Sequence, residues 1–237
     1  MRIGVFDSGI GGLTVLKTLI KKYPNNEYIY YGDTKNLPYG NKSLEKLKEL
    51  SSNIIEFLLK KEVDMIVIAC GTISSNLSDY LRAKYNIKII DIISPTINYL
   101  NNSNYNNIGV IATQATVNSK IFSRNINKNI KEVACPMFVP IIENNKKEEL
   151  NKYFEEYLSD LKNCDLIVLG CTHYPLIKEE LSQYLNIQVL DMSECINDIT
   201  NEGKGKVELY FSILDDNIIK NVKNILNAND YLIKNFY

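Results

Sequence analysis

DMIVIACGT, residues 64–72, and DLIVLGCT, residues 165–172, are one phrase written twice. In each, an Asp opens a run of large apolar side chains that closes six residues later on a cysteine, Cys70 or Cys171. Continuous apolar runs of this length read as strands buried on both faces, as in a parallel sheet. The repetition continues on both sides. RIGVFDS from Arg2 matches NIGVIAT from Asn107, and NIKIIDIIS from Asn86 matches NIQVLDMS from Asn186, so three matches keep their order at offsets of 105, 101 and 100 residues. Ordered self-similarity of this kind implies two similar halves.

Working outward, strands are expected at Ile3 to Phe6, Tyr28 to Tyr31, Met65 to Ala69, Lys88 to Asp91, Ile108 to Ala112, Leu166 to Gly170 and Gln188 to Asp191. They alternate with stretches of helical period. Leu44, Leu47, Ile54, Ile55 and Leu58 recur at helical spacing between Ser43 and Lys61. Ile73, Leu77 and Leu81 do so after Cys70, and Ile218, Val222 and Leu226 do so in the helix expected to end the chain. Alternating strands and helices define an α/β fold with parallel sheets covered on both faces. The Asn-rich stretch Asn98 to Asn107 has turn-forming composition and reads either as a linker between the halves or as an ordinary loop.

Composition removes several function classes. The 237 residues carry 27 basic and 28 acidic side chains, a net charge of -1, which is no footprint for nucleic acid or an anionic membrane. No apolar run reaches the roughly 20 residues that span a bilayer, and MRIGVFDSG lacks the features of a signal peptide. The five cysteines, at 70, 135, 164, 171 and 195, form no CxxC pair and leave an odd count, against a disulfide framework. A cytoplasmic protein acting on a small molecule in a pocket is the expectation.

Cys70 and Cys171 each fall at the end of a strand, where open α/β sheets bind ligands. Two halves facing each other would present both thiols to one cleft. A helix beginning there would favour the thiolate through its positive end. A thiolate and a thiol across a cleft can deprotonate a carbon acid on one face and reprotonate it on the other. The competing reading makes each cysteine a small buried hydrophobe, and Cys135, Cys164 and Cys195 are read that way. No cofactor is expected: the chain has no GxxxxGK[ST], and its single histidine, His173, makes a weak metal site. DSGIGG from Asp7 reads as a glycine-rich cradle for an anion, carboxylate or phosphate. Thr113 and Thr116, in the second half's counterpart of that loop, are candidate hydroxyl donors to a carboxylate.

Five of these stretches together, DSGIGGLTVL, YYGDTKNLPYG, ACGT, ACPMFVPIIE and GCTHYPL, resemble in order and spacing the signatures of the glutamate racemases, within the aspartate/glutamate racemase superfamily. The resemblance covers roughly residues 3 to 195. It implies two pseudo-symmetric parallel-sheet α/β domains with the active site between them. The first comprises residues 1–97 and 208–237, with Cys70 and the C-terminal helix; the second comprises 98–207, with Cys171. It implies cofactor-independent interconversion of L- and D-glutamate for peptidoglycan synthesis, and it allows a homodimer. Carried over residue by residue, Cys70 and Cys171 are the catalytic bases, Asp7 assists Cys70, and His173 assists Cys171 unless it merely caps or packs. Asp7, Ser8, Tyr39, Gly40, Gly71, Thr72, Thr172 and His173 contact substrate. Glu143 either borders the cleft or is a solvated surface carboxylate. The family usually has Asn where this chain has Gly71, so an amide donor to substrate is missing; Gly71→Asn would lower KM if nothing replaces the donor, and raise it if a water or a hydroxyl such as that of Ser74 already fills the space. An aspartate or broader amino-acid racemase and a catalytically silent amino-acid binding protein are the alternatives, separated by turnover of each amino acid and by loss of the α-proton to solvent deuterium.

Overall fold

The structure, a computed structural model, describes residues 1–227 and 231–235. In chain order its strands and helices are β1 Arg2–Asp7, α1 Gly12–Lys22, β2 Glu27–Gly32, α2 Leu44–Lys60, β3 Met65–Ile68, α3 Gly71–Lys84, β4 Lys88–Asp91 and α4 Ile93–Asn101. There follow β5 Asn107–Ala112, α5 Gln114–Ser119, α6 Ile121–Asn125, β6 Asn129–Ala134, α7 Phe138–Glu143, α8 Leu150–Leu158, β7 Leu166–Leu169, α9 Lys178–Leu185, β8 Val189–Asp191, β9 Lys206–Phe211, α10 Asp216–Leu226 and β10 Leu232–Asn235. Two sheets form, ordered β10-β9-β2-β1-β3-β4 and β6-β5-β7-β8, and every pairing is parallel. The order β2-β1-β3-β4 reappears as β6-β5-β7-β8, which is the pseudo-symmetry the repeat implied.

The repeated aspartates have matching structural work. Asp64 accepts the backbone N-H of Arg2 at 2.6 Å, and Asp165 accepts those of Asn106 and Asn107 at 3.0 and 2.9 Å, so each ties the entry of one strand to its neighbour. Asp91 and Asp191 each accept a backbone N-H two residues on, from Ile93 at 2.7 Å and Ser193 at 2.8 Å, turning the chain out of β4 and β8.

Strand side chains alternate between layers, as the period of two requires. Ile3, Val5, Met65 and Val67 of the first sheet and Ile108, Val110, Leu166 and Val168 of the second join a single cluster, with Leu13 and Leu16 of α1 and Ile218 and Val222 of α10. The opposite faces build separate cores: Phe6, Ile66 and Ile68 pack with Ile54, Leu58 and Ile73, while Ile167 and Leu169 pack with Phe138, Phe154 and Tyr174. All seven expected strands form, with ends shifted by at most a residue or two.

Two expectations, the Asn-rich stretch and the final helix, need correction. Asn98 to Asn101 are helical, because α4 buries Ile93, Thr96 and Leu100 at helical spacing despite its Asn content; only 102–106 connect to β5. The boundary at 98 therefore falls inside α4, and β9 begins at Lys206, two residues before the one expected at 208. α10 is not the last element among the described residues, since β10 follows it and pairs with β9. β6, NIKEVA, is an edge strand whose alternate residues are exposed, so no apolar run marks it.

Candidate active site

Ser8 follows β1 and Cys70 follows β3 on adjacent strands of one sheet; Thr113 follows β5 and Cys171 follows β7 on adjacent strands of the other. In both sheets the two crossovers diverge at this pair, the switch point where parallel sheets open a crevice. The two crevices meet in an enclosed pocket lined by Ser8, Leu37, Pro38, Tyr39, Gly40, Cys70, Gly71, Thr72, Thr113, Val139, Cys171, Thr172 and His173. Its volume is about 30 Å³, room for about two waters at the ~10–15 Å³ each needs. Admitting an amino acid therefore requires the walls to move apart. A wider groove of about 1040 Å³ beside α4 is lined by neither Cys70 nor Cys171.

Ten expected site residues line the pocket; Asp7 and Thr116 do not. Asp7 is fully buried and points back into its own loop. Its Oδ2 accepts the backbone N-H groups of Gly9 and Gly12, both at 3.0 Å, and its Oδ1 accepts the Thr172 hydroxyl at 3.2 Å. The anion in the DSGIGG cradle is thus the protein's own carboxylate, and Ser8 alone of that loop reaches the pocket. The glycines serve close packing instead: a Cβ on Gly11 would stand 2.4 Å from His173 Nδ1. Thr116 lies behind Thr113, its Oγ1 3.1 Å from that of Thr113. Leu37, Pro38 and Val139, missed as site residues, supply apolar wall from within two of the motif stretches.

The two thiols differ in surroundings. Cys70 caps the 14-residue helix α3, whereas Cys171 is followed by a short 3-10 turn, Tyr174–Ile177, so the helix-dipole argument holds for Cys70 alone. Even there it is outweighed. Burial, and then the Asp7 carboxylate, push the Cys70 thiol up to about 12, against smaller opposing hydrogen bonds from the Ile73 backbone and Ser8, whose Oγ is 3.8 Å away. Burial and the Asp7 charge thus favour the thiol form of Cys70 over the thiolate that the helix dipole alone would favour.

Cys171 Sγ lies 3.8 Å from His173 Nδ1, and His173 Nε2 lies 2.6 Å from Glu143 Oε1. Burial on its own would depress the imidazole; the hydrogen bonds to Cys171 and Glu143, with their charges, more than reverse this and hold His173 well above its ordinary 6.5. His173 thus bridges Cys171 and Glu143 through its two ring nitrogens, and Glu143, 21% exposed, is paired with it and is no free surface carboxylate. Tyr39 donates its hydroxyl to buried Asp33 at 2.6 Å, which seats the Tyr39–Gly40 wall. Among the described residues no cluster of three or more His, Cys, Asp or Glu side chains could hold a metal ion.

A duplicated α/β unit with one thiol from each half in a single pocket is the arrangement that an amino-acid racemase working from two faces requires. Comparison with known proteins agrees. The glutamate racemase of Aquifex aeolicus is 39% identical over 239 residues, covering 95% of this chain and 94% of that one. The glutamate racemase of Fusobacterium nucleatum is 43% identical over 203 residues, 80% of this chain and 76% of that one. The crystal structure of Francisella tularensis glutamate racemase in complex with D-glutamate superposes with a TM-score of 0.86 at 32% identity, covering 100% of this chain and 97% of that one. Residues 11–196 match the Asp/Glu/Hydantoin racemase family, and the chain belongs to it.

Proposed function

We propose that this racemase interconverts L- and D-glutamate by two-cysteine proton transfer at the α-carbon, supplying D-glutamate for peptidoglycan synthesis. The observation that carries the reading is the pair Cys70 and Cys171, 3% and 5% exposed, contributed by opposite halves to one pocket. One sulfur, as thiolate, takes the α-proton and becomes a thiol; the electron pair of the broken C-H bond is left on a carbanion delocalised into the carboxylate. The other thiol donates its proton to the opposite face and becomes the thiolate. The product has inverted configuration and the two sulfurs have exchanged protonation. By the family resemblance, Cys70 serves the D-isomer and Cys171 the L-isomer.

The surroundings support these roles. His173 sets its Nδ1 against Cys171, within reach of that sulfur as it gains or loses its proton. Asp7 places negative charge near Cys70, and an incoming α-ammonium would offset it. The hydroxyls of Ser8, Thr72 and Thr113 and the backbone at Gly40 and Gly71 offer donors to carboxylates. All five cysteines are free thiols, in keeping with a cytoplasmic location. A homodimer is part of the same reading and is checked by sedimentation.

The test is incubation with each glutamate enantiomer in deuterium oxide, without added cofactor, following circular dichroism and α-deuteration. Loss of ellipticity from both enantiomers with deuterium at Cα is the expected result. Unchanged optical rotation and no label would remove the proposal, and preferential turnover of aspartate would move the substrate.

A further inference from the structure

We infer that Ser212, which stands outside the pocket on the chain returning after the second half, is a positioning residue that holds the Tyr39–Gly40 wall through Asp33. The inference rests on the function proposed above and adds a residue to it.

The placement follows from the sheet. β2 ends at Gly32, and the residues after it run over the pocket, giving Leu37, Pro38, Tyr39 and Gly40 to its lining. β9 lies beside β2 in parallel register with Phe211 opposite Gly32, so Ser212 emerges next to Asp33. The Ser212 backbone N-H donates to the Gly32 carbonyl at 3.1 Å, which fixes the residue against the start of the loop. Asp33 and Ser212 are 3% and 2% exposed, so solvent is kept from both.

The chemistry at each end sets the direction of the link. The Lys35 backbone N-H, which can only donate, meets Ser212 Oγ at 2.9 Å, and the Ser212 proton goes on to Asp33 Oδ1 at 2.8 Å. Asp33 Oδ2 accepts the Tyr39 hydroxyl at 2.6 Å, and Asn36 Nδ2 donates to both oxygens at 3.0 Å. One carboxylate therefore gathers the loop, the pocket wall and the returning chain. Without the Ser212 hydroxyl, Oδ1 is left with the Asn36 amide that it shares with Oδ2, and the Lys35 N-H loses this acceptor. A buried carboxylate that loses a donor gains no water in exchange, so it turns, and the acceptor that seats Tyr39 is no longer fixed. Substrate entry requires the pocket walls to part. Closure over a bound substrate then depends on how firmly the base of this wall is held.

The experiment is steady-state racemisation of both glutamate enantiomers by wild type, Ser212→Ala, Tyr39→Phe, the double variant and Thr34→Val. Ser212→Ala should raise KM for both enantiomers roughly three- to tenfold, the range for one hydrogen bond's net contribution. Its kcat should stay within about twofold, because Cys70 and Cys171 follow other strands, β3 and β7. Tyr39→Phe cuts the other end of the link and should act alike, and the double variant should rise no further than the larger single, since both work through one carboxylate. Thr34 Oγ1 donates to the Ile213 carbonyl at 2.6 Å and accepts the Ile213 N-H at 3.0 Å, a neighbouring contact on the solvent side. Thr34→Val removes that contact, leaves Asp33 paired, and should keep KM within about twofold of wild type. An unchanged KM in Ser212→Ala, fold-changes that multiply in the double variant, an equal rise in Thr34→Val, or a fall in kcat at constant KM would overturn the inference. If Ser212→Ala does not fold, Ser212→Cys, of similar shape but a weak donor, gives the same reading. Wild-type turnover with insensitive variants removes this inference alone; no wild-type turnover removes both it and the proposed function.

Discussion

A Cβ placed on Gly71 would stand 2.6 Å from the carbonyl oxygen of Gly170. The two thiol-bearing strand ends touch here, backbone against backbone, at a separation that only glycine permits. Of the two outcomes expected for an asparagine at 71, a lower or a higher KM, this close contact favours the higher. Gly71→Ala should push the halves apart at the pocket. Overpacking of this kind costs about 1–3 kcal/mol, a fall in Tm of roughly 2–12 °C for a chain of this size. Because proton transfer depends on close placement of the sulfurs, kcat should fall more than KM changes. Thermal melting and steady-state kinetics check it; a variant with wild-type Tm and kcat would mean the contact gives way freely.

His173 is the chain's one histidine, so its imidazole signal in a proton NMR titration is unambiguous. Its titration should lie well above 6.5. Glu143→Gln removes one of the partners that raise it and should move the midpoint down. A raised histidine contributes stability that is fully present below pH 6.5 and is lost as pH rises through the raised value. The variant should accordingly lose stability mainly at acidic to neutral pH, and its stability should depend less on pH above 6.5. An unmoved midpoint would show that Glu143 does not act on the imidazole.

Asp7→Asn tests what holds Cys70 protonated. Burial is the larger cause and Asp7 the next, so the thiol should move down from about 12 only in part. Alkylation of Cys70 by iodoacetamide at fixed alkaline pH, located by peptide mass spectrometry, should be faster in the variant because the thiolate fraction is larger. The same change weakens the bonds from Gly9 and Gly12, so a lower Tm is expected beside it. Slower alkylation would reverse the assigned sign.

Cys70→Ser and Cys171→Ser should each nearly abolish racemisation, since an alcohol is a far weaker base than a thiolate. In the wild type, the requirement for one ionised and one protonated sulfur predicts a bell-shaped pH-rate profile whose two apparent values belong to the pair. Wild-type rates in either variant would sink the two-cysteine mechanism.

How far the sequence could be read depended on where each residue's partners lie. β3 and β7 were legible because MIVI and LIVL are buried on both faces and show as unbroken apolar runs. β6 was not, because Lys131 and Glu132 sit in a half-exposed edge strand, and α4 was masked by asparagines on its outer surface. Cys70, Cys171 and the threonines beside them could be placed in one pocket because strand-end position follows from the repeat. The direction of the Asp7 side chain could not be placed, since a carboxylate beside glycines fits a loop that binds an anion as well as one that supplies it. Nor could the bond of Glu143 to His173, 30 residues apart, be found from spacing.

The cluster shared by Ile3, Val5, Ile108 and Val110 gives the duplication a thermodynamic consequence. Each half lends one face of its sheet to a core that belongs to neither, and the chain returns through β9 and α10 to complete it. A half expressed alone would expose that face as a continuous apolar surface, with the solubility of an unfinished interface rather than of a domain. Unfolding the intact chain should therefore give one calorimetric endotherm whose van't Hoff and calorimetric enthalpies agree, as in a single cooperative unit.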